Sequence, residues 1–550
     1  MWNNQQVISL PHLTNEIVRG ARKTKLCAYA VALEGWRRGL TLKWYTIDSG
    51  KFDEMITFGV NPPGRLFSLS SETETHYFFR TRGDKVTDEA VEIGSDKNET
   101  KNYLERANVP VPQGEEFLEG TTSDDIIAYA ENLGYPLVLK PTNGSLGNGV
   151  ITNIKSANEL EKAIDYVRNT LEYEELILEQ YMPGEEYRVY VVEDQVVAAY
   201  NRLPANIIGD GEHTIEELIE FKNDQRRKNA RLFSCLIEID QETLEFIDST
   251  GYDLASVPKK GEKILLKEKT NVSAGGDPVD VTDEIPEEFK RIAIDAVKAI
   301  PGLYHGGVDI IVDLNKPVNQ AAVVIELNPT AQIGGILFPM RGRARDIPSA
   351  IVDYYFPETK DVQTDREKIY FDFNTVLGPL QNRSGEEVEV APALVGEIYQ
   401  KRYIVTGKVN RIRYHRYIKY SALDLNLSGY ITTLAEDEIE VIVAGTDKSI
   451  VNRFKHLLAE VEDIADVKKV TEENFYQPVK IGFEINEEME NVGRKNIDTV
   501  IKRYEKELHK MRKDKRRLEK EIVKIKLSRS WKMTAPLRVF GKGIEAKKIK

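Results

Sequence analysis

Residues 137–150, Leu-Val-Leu-Lys-Pro-Thr-Asn-Gly-Ser-Leu-Gly-Asn-Gly-Val, constrain this chain more than any other stretch. An apolar run ends in Lys140-Pro141, a loop holding Gly144, Gly147 and Gly149 comes next, and a second apolar run starts at Val150-Ile151. The pattern predicts a strand, a glycine-rich turn and a second strand. Glycines let backbone N–H groups approach an anion with no Cβ in the way. Ser145 adds a hydroxyl donor and Lys140 a positive charge at the strand end, so the segment suits a polyphosphate. No Gly-Lys-Ser/Thr opens a helix here, which excludes a Walker loop. An ordinary hairpin carries similar glycines, so the reading depends on the residues downstream.

Downstream lies a series of apolar strands with polar ends. Residues 176–192 read Leu-Ile-Leu-Glu-Gln-Tyr-Met-Pro-Gly-Glu-Glu-Tyr-Arg-Val-Tyr-Val-Val, residues 306–313 read Gly-Gly-Val-Asp-Ile-Ile-Val-Asp, and residues 324–329 read Val-Ile-Glu-Leu-Asn-Pro. Asp309, Glu326 and Asn328 sit on two of these predicted strands and offer hard oxygen ligands, a set suited to Mg²⁺ shared with phosphates. Amphipathic helices are predicted over 123–132 and 157–172, flanking the glycine loop, and over 286–300, before the metal strands. Asp96 opens another helix with Leu104 inward, and Val109-Pro110-Val111-Pro112 ends it.

In this order, the motifs resemble the ATP-grasp superfamily of carboxylate–amine ligases over roughly residues 80–357, most nearly the ATP-grasp part of cyanophycin synthetase and of bifunctional glutathione synthetases. The resemblance implies ATP, two Mg²⁺ ions (with Mn²⁺ as a substitute) and amide formation through an acyl phosphate. The donor would be a carboxylate such as an amino acid, and the acceptor an amine. It also implies residue roles. Lys97 reaches the ATP phosphates beside Lys140, and the loop of Gly144, Ser145, Gly147 and Gly149 closes over them. Glu179, Gln180 and Met182 belong to the adenine hinge, and Glu186 takes the ribose hydroxyls. Arg188, Arg202 and Lys267 hold the donor and its acyl phosphate, with Asn271 and Gly275-Gly276 as further contacts, and Asp309, Glu326 and Asn328 bind metal. The family has an arginine where this chain has Lys267. A point charge does not replace a planar fork, so the donor is expected to be held differently. Arg341, Arg343 and Arg345 suit an anionic acceptor, or are surface charge.

Residues 1–94 read as a small α/β unit. A helix is expected over Leu10–Gly39 with Leu13, Ile17, Ala21, Val31 and Trp36 inward, and a strand over Leu40–Asp48. Arg80 and Arg82 either greet an anionic substrate or are surface charge. Residues 201–211 read as a Gly/Pro-punctuated loop, with His213 at the start of the next helix. An insertion over 222–262 opens with a basic patch, Lys222 to Arg231, and residues 358–397 read as a connector. From Arg402 a βαββαβ order with Gly429-Tyr430-Ile431 and Ala444-Gly445 resembles acylphosphatase. That family's catalytic arginine falls on His415 and its asparagine on Thr433, while Arg411 and Arg413 replace loop glycines; Arg416 is the alternative if the alignment shifts by one. Without guanidinium and amide an acyl phosphate loses its main electrostatic support, so this domain is expected to be non-catalytic.

Charge is unevenly spread. The chain has 76 Lys/Arg against 89 Asp/Glu, a net −13, yet residues 501–550 hold 19 against 6, so the first 500 residues carry −26. Ile497, Ile501, Tyr504, Leu508, Met511, Lys515, Leu518, Ile522 and Ile525 alternate in steps of four and three, which predicts a coiled coil over 490–527 and hence a homo-oligomer. The basic tail, 528–550, begins Ser-Arg-Ser-Trp-Lys-Met-Thr-Ala-Pro and resembles a short tail on bacterial surface-polysaccharide glycosyltransferases; membrane or polysaccharide-machinery contact is therefore expected. Cys27 and Cys235 give neither a disulfide framework nor zinc spacing. No apolar run reaches the ~20 residues of a transmembrane helix, and residues 1–10 are polar, so a cytoplasmic location is expected, with no nucleic-acid partner.

The chain is thus read as an α/β (α+β) multidomain protein: an N-terminal subdomain (1–94), the ATP-grasp domain (95–357), the connector (358–397), a ferredoxin-like, acylphosphatase-like domain (398–486), the coiled coil and the tail. The expected function is an ATP- and Mg²⁺-dependent ligase joining an amino acid or peptide to an amine, on a cell-envelope polymer. A non-catalytic nucleotide-binding scaffold of surface-polysaccharide assembly and an acylphosphatase are the alternatives, which fold alone does not separate.

Overall fold

The computed structural model describes residues 7–142, 149–461 and 464–486. Gly144, Ser145, Gly147, the 490–527 heptads and the 528–550 tail lie outside the described residues.

The N-terminal unit is built round the helix Lys25–Arg37, buried from Leu26 through Arg37. A helix enclosed on every side must be apolar nearly all round. Its buried Arg37 is satisfied by carbonyls, Nε donating to Ile369 O at 2.9 Å and Nη1 to His12 O at 3.0 Å, and burial pulls its pKa down to about 10. The helix is shorter than expected. Residues 11–24 form turns, Lys23 has φ +59°, and a Cβ on Gly20 would meet Phe373 Cβ at 3.2 Å, so the chain folds back there instead of continuing a helix. Leu13, Ile17 and Ala21 are buried all the same.

Beside this helix lies an antiparallel sheet in the order Glu387–Glu389, Thr41–Tyr45, Leu66–Ser70, Thr75–Phe79, Arg82–Gly83. Its first strand corrects the connector expected over 358–397. That segment adds an edge strand and sends Phe371, Phe373, Leu377 and Leu380 into the core with Trp36 and Trp44, and Trp36 Nε1 donates to Ala391 O at 2.7 Å. Arg82 is 2 % exposed and bound to Val86 O, Ile56 O and Asp88, so it is a structural residue, neither surface charge nor a substrate contact. Arg80 stacks over the Phe58 and Phe79 rings.

Two sheets frame the middle of the chain. The smaller runs Gly114–Phe117, Leu176–Gln180, Leu137–Pro141, Ile151–Ile154, backed by the helices Ser123–Leu133 and Ala157–Asp165. The larger runs Asp277–Asp280, Gln195–Leu203, Glu185–Val192, His305–Val312, Ala322–Asn328, all antiparallel. One of its faces carries Val189, Val191 and Val308 against the helix Glu287–Ala299. The other carries Tyr190, Val192, Ala198 and Tyr200 into the N-terminal core. Of residues 201–211, expected as loop, two stretches are strand: Gln195–Leu203 runs on through Arg202, and Asn206–Ile208 pairs with Lys263–Leu265. Thr214 caps the next helix, Ile215–Arg227, in a reciprocal box with Glu217.

His305 begins one of the large strands. It is fully buried, 3.2 Å from the hydroxyls of Tyr190 and Tyr355, and burial lowers its pKa to about 3. The folded protein therefore refuses a proton that the unfolded chain accepts below about pH 6.5. Stability contributed by the neutral ring is intact above that pH and falls as pH drops towards 3. Between pH 7 and 5 this amounts to about 2 kcal/mol. The expected result is a drop in melting temperature over that interval which is visibly smaller in His305→Phe; equal drops would refute it.

The C-terminal domain shows the predicted βαββαβ order. Its sheet runs Asp466–Asn474, Tyr399–Lys408, Glu438–Gly445, Ser428–Ala435, with Phe483–Asn486 added in parallel at the edge, and the helices Ile412–Asp424 and Lys448–Ala459 cover one face. Ile442 and Ala444 on the opposite face enter the N-terminal core, and a parallel pair, Ile369–Tyr370 with Val479–Lys480, joins the two bodies.

Candidate active site

The polar end of the large sheet gathers the charged residues. Arg188 stands opposite Asp309, and Asp309 opposite Glu326, on three adjacent strands. An extra residue, Ile325, bulges out of the last strand just before Glu326, where the register shifts. Bulges re-aim side chains in this way. Arg188 grips Asp309 in a fork, Nε to Oδ1 and Nη2 to Oδ2, both 2.5 Å. Arg202 reaches Asp309 at 3.3 Å and Glu186 at 2.5 Å, and Thr270 donates to the other Glu186 oxygen. Burial alone would push the Asp309 pKa up, but Arg188 and Arg202 hold it below the usual carboxylate range. Glu326 opens to the cleft, yet the protein around it, and then Asp309, raise its pKa.

Asp309, Glu326 and Asn328, whose Nδ2 is 3.5 Å from Asp309 Oδ2, form an oxygen-rich set with two carboxylates held close against their repulsion. This fits a hard divalent cation. Among the described residues no group of three or more His, Cys, Asp or Glu forms a closed cage. Mg²⁺ characteristically keeps positions for water and phosphate oxygens.

The small sheet faces this cluster. Lys140 Nζ is 2.5 Å from Glu179 Oε2, and both are largely buried. Lys97 sits on the first turn of Lys97–Arg106, whose cap Asp96 accepts from the Asn98 and Glu99 amides. Its Nζ donates to Thr142 O at 3.3 Å. Burial lowers the Lys97 pKa, and the charges acting on it come from both walls: Glu326 on the large sheet, Lys140 and Glu179 on the small one. Lys101, four residues on in the same helix and given no role by the sequence reading, joins them, 2.8 Å from Gly114 O and 3.9 Å from Glu179. Glu179, expected to hold a base, is thus a counterion for two lysines. Gln180 and Met182 lie where the strand leaves the small sheet, with Gln180 N donating to Gln113 O at 2.8 Å. Gly149, the one glycine of the loop within the described residues, has φ +74°, and a Cβ there would touch Pro141 at 3.1 Å.

Other expected residues stand elsewhere. Lys267 is buried and ion-paired to Asp240 at 2.5 Å and Glu242 at 3.6 Å, so the group from this segment that meets Glu186 is Thr270. Asn271 opens a short turn and accepts the Gly276 amide at its carbonyl, 3.1 Å away. Lys222 and Arg226 are no exposed basic patch: both are ion-paired to Asp277, at 2.6 and 2.9 Å. Arg345 binds Asp280 and Asp283 at 2.7 Å, and Arg343 N donates to Asp280. In the C-terminal domain His415 is 5 % exposed, and Thr433 Oγ1 lies 3.4 Å from Asn410 Oδ1.

Residues 94–210 match the RimK-like ATP-grasp domain and residues 401–485 match acylphosphatase. A cyanophycin synthetase from Nostoc sp. (strain PCC 7120 / SAG 25.82 / UTEX 2576) is 36% identical over 334 residues, 60% of this chain and 34% of that protein. The glutathione biosynthesis bifunctional protein GshAB of Clostridium perfringens is 32% identical over 302 residues, 53% of this chain and 38% of that one. A crystal structure of a bifunctional glutathione synthetase from Pasteurella multocida shares 28% identity over 54% of this chain and 41% of its own, with a TM-score of 0.44. The chain spans about a third of the length of the curated relatives it matches.

Proposed function

From the premise that the chain carries a RimK-like ATP-grasp domain followed by an acylphosphatase-like domain, we propose that it is an ATP-dependent carboxylate–amine ligase, acting in the cytoplasm through an acyl phosphate. One arrangement supports this reading: the Arg188–Asp309–Arg202–Glu186 cluster of the large sheet faces the Lys97–Lys140–Glu179 cluster of the small sheet across one cleft.

Lys97, Lys140 and Lys101 neutralise the polyphosphate of ATP at the small-sheet wall. Phosphoryl transfer is governed by positioning and charge neutralisation, with little covalent work for the protein. Asp309, Glu326 and Asn328 would hold Mg²⁺, which supplies charge neutralisation on the phosphate oxygens. Arg188 and Arg202 sit beside those carboxylates, where a forked guanidinium binds a planar carboxylate and then its acyl phosphate. The donor is an amino acid or a peptide, and the attacking amine belongs to a second such molecule or to a polymer of the cell envelope. With His415 and Thr433 where an acylphosphatase carries arginine and asparagine, the C-terminal domain takes no part in the chemistry.

The test is hydroxamate formation. Full-length protein with ATP, Mg²⁺, a panel of amino acids and hydroxylamine should yield hydroxamate with at least one acid. Lys140→Ala should lower that signal about 10²-fold or more, because one fixed charge opposite the developing charge is lost. No hydroxamate with any acid, in protein that still binds ATP, would overturn the reading.

A further inference from the structure

The large sheet has a second cavity, behind the cleft. Side chains alternate across a strand, so Glu186, Arg188 and Arg202 face the cleft while Glu185, Asn201 and Leu203 face the opposite way. There, between the sheet and the helix Ile215–Arg227, lies a cavity of about 900 Å³. That volume accommodates a ligand of drug or short-peptide size.

Its lining mixes apolar and cationic side chains. Phe221 and Ile208 are large apolar side chains left 47 % and 40 % exposed, and both line it, with Leu218 behind them. Exposed apolar side chains inside one cavity favour a ligand that covers them. Lys263, the cross-strand partner of Ile208, and Arg341 also line it. Among the described residues no side-chain hydrogen bond or ion pair holds Lys263, and its neighbour Glu262 is taken by the Tyr252 hydroxyl and the Lys259 amide. Burial, and then the Arg341 charge, lowers the Lys263 pKa, against a smaller opposing pull from Glu185 and Asp277. Each acid of the lining already accepts hydrogen bonds from other groups. Asp277 balances Lys222 and Arg226, Glu185 accepts from Tyr187 and Asn201, and Asp210 accepts from His213. A deeper polar group, the Asn201 Oδ1, is buried without a partner beside this wall.

We propose that this cavity binds a small peptide or acylated amino acid through a free carboxylate set on Lys263, next to Arg341, with its apolar side chain against Phe221 and Ile208. The ligand carboxylate supplies the direct ion pair that Lys263 lacks among the described residues, and its side chain covers Phe221 and Ile208. Asn201 and Glu185 on this face are sequence neighbours of Arg202 and Glu186 on the other, so occupancy is felt one residue away from the cleft cluster.

The proposal makes no use of ATP, so its test is separate from that of the ligase. Full-length protein is titrated by calorimetry with N-acetyl-phenylalanyl-alanine, N-acetyl-leucyl-alanine and N-acetyl-leucyl-aspartate, and with the C-terminal amide of each, with and without saturating ATP and Mg²⁺. The acids should bind at least tenfold more tightly than their amides, with or without nucleotide. Lys263→Glu and Phe221→Ser, both at exposed side chains, should each weaken the acids tenfold or more while the melting temperature stays near that of the parent. Equal affinity for acids and amides, affinity unchanged in both variants, displacement by ATP, or no binding of any acid would each overturn it.

Discussion

Asp309→Asn is expected to lower ATP-dependent hydroxamate formation by about 10³-fold, the scale of losing a preorganised charge at a reacting centre. Asp309 is 1 % exposed and is the shared partner of Arg188 and Arg202. Asparagine keeps the shape but removes the charge that balances two guanidiniums and half of the carboxylate pair offered to a cation. Because this also leaves buried charge uncompensated, the variant is read beside Glu326→Gln. Glu326 opens to the cleft and is itself raised in pKa by its surroundings, so losing its charge should spare the melting temperature while still removing activity. A rate within tenfold of the parent in both variants would sink the assignment of this pair.

The largest expected stability effect is at Asp277. Its carboxylate is 2 % exposed and holds Lys222 Nζ at 2.6 Å, Arg226 Nη1 at 2.9 Å and Asn206 Nδ2 at 3.1 Å. Arg226 also donates to Cys235 O and Gly276 O, so one cluster ties the insertion to the strand that starts at Asp277. Removing one partner of a buried pair costs about 3–5 kcal/mol, because the other charges stay buried and unbalanced. Asp277→Ala should therefore melt roughly 5–15 °C lower, with Asp277→Asn between it and the parent. Melting within about 1 °C of the parent would show that Lys222 and Arg226 find other partners.

The strands of the cleft were legible in the sequence because their apolar runs are long and end in polar residues, so Lys140, Asp309, Glu326 and Asn328 could be located by position alone. Pairing across the cleft was not legible. That Arg202 meets both Glu186 and Asp309 depends on sheet register, which is set by neighbours far along the chain. Lys267 stands at a family position, but its partner Asp240 comes from the insertion over 222–262, to which the pattern assigned no contact with that position. The basic patch at the start of that insertion misled because charge runs look alike whether solvated or buried, and Asp277 lies 51 residues from Arg226. The helix expected over Leu10–Gly39 was placed too early by some fifteen residues for a related reason: apolar residues at helical spacing are also what the consecutive turns of residues 11–24, pressed onto a core, display.

The strand Glu387–Glu389 and the bond from Trp36 to Ala391 have a consequence for synthesis. Trp36 waits for a partner 355 residues downstream. At ribosomal speeds of about 5–20 residues per second that is roughly 20–70 s. For all that time the nascent chain presents the bare edge of Thr41–Tyr45 and an open aromatic core, the kind of surface that recruits other strands. Birth of this protein is therefore an interval in which chaperone capture competes with self-association. A chain released early, before residue 391, inherits that exposure permanently.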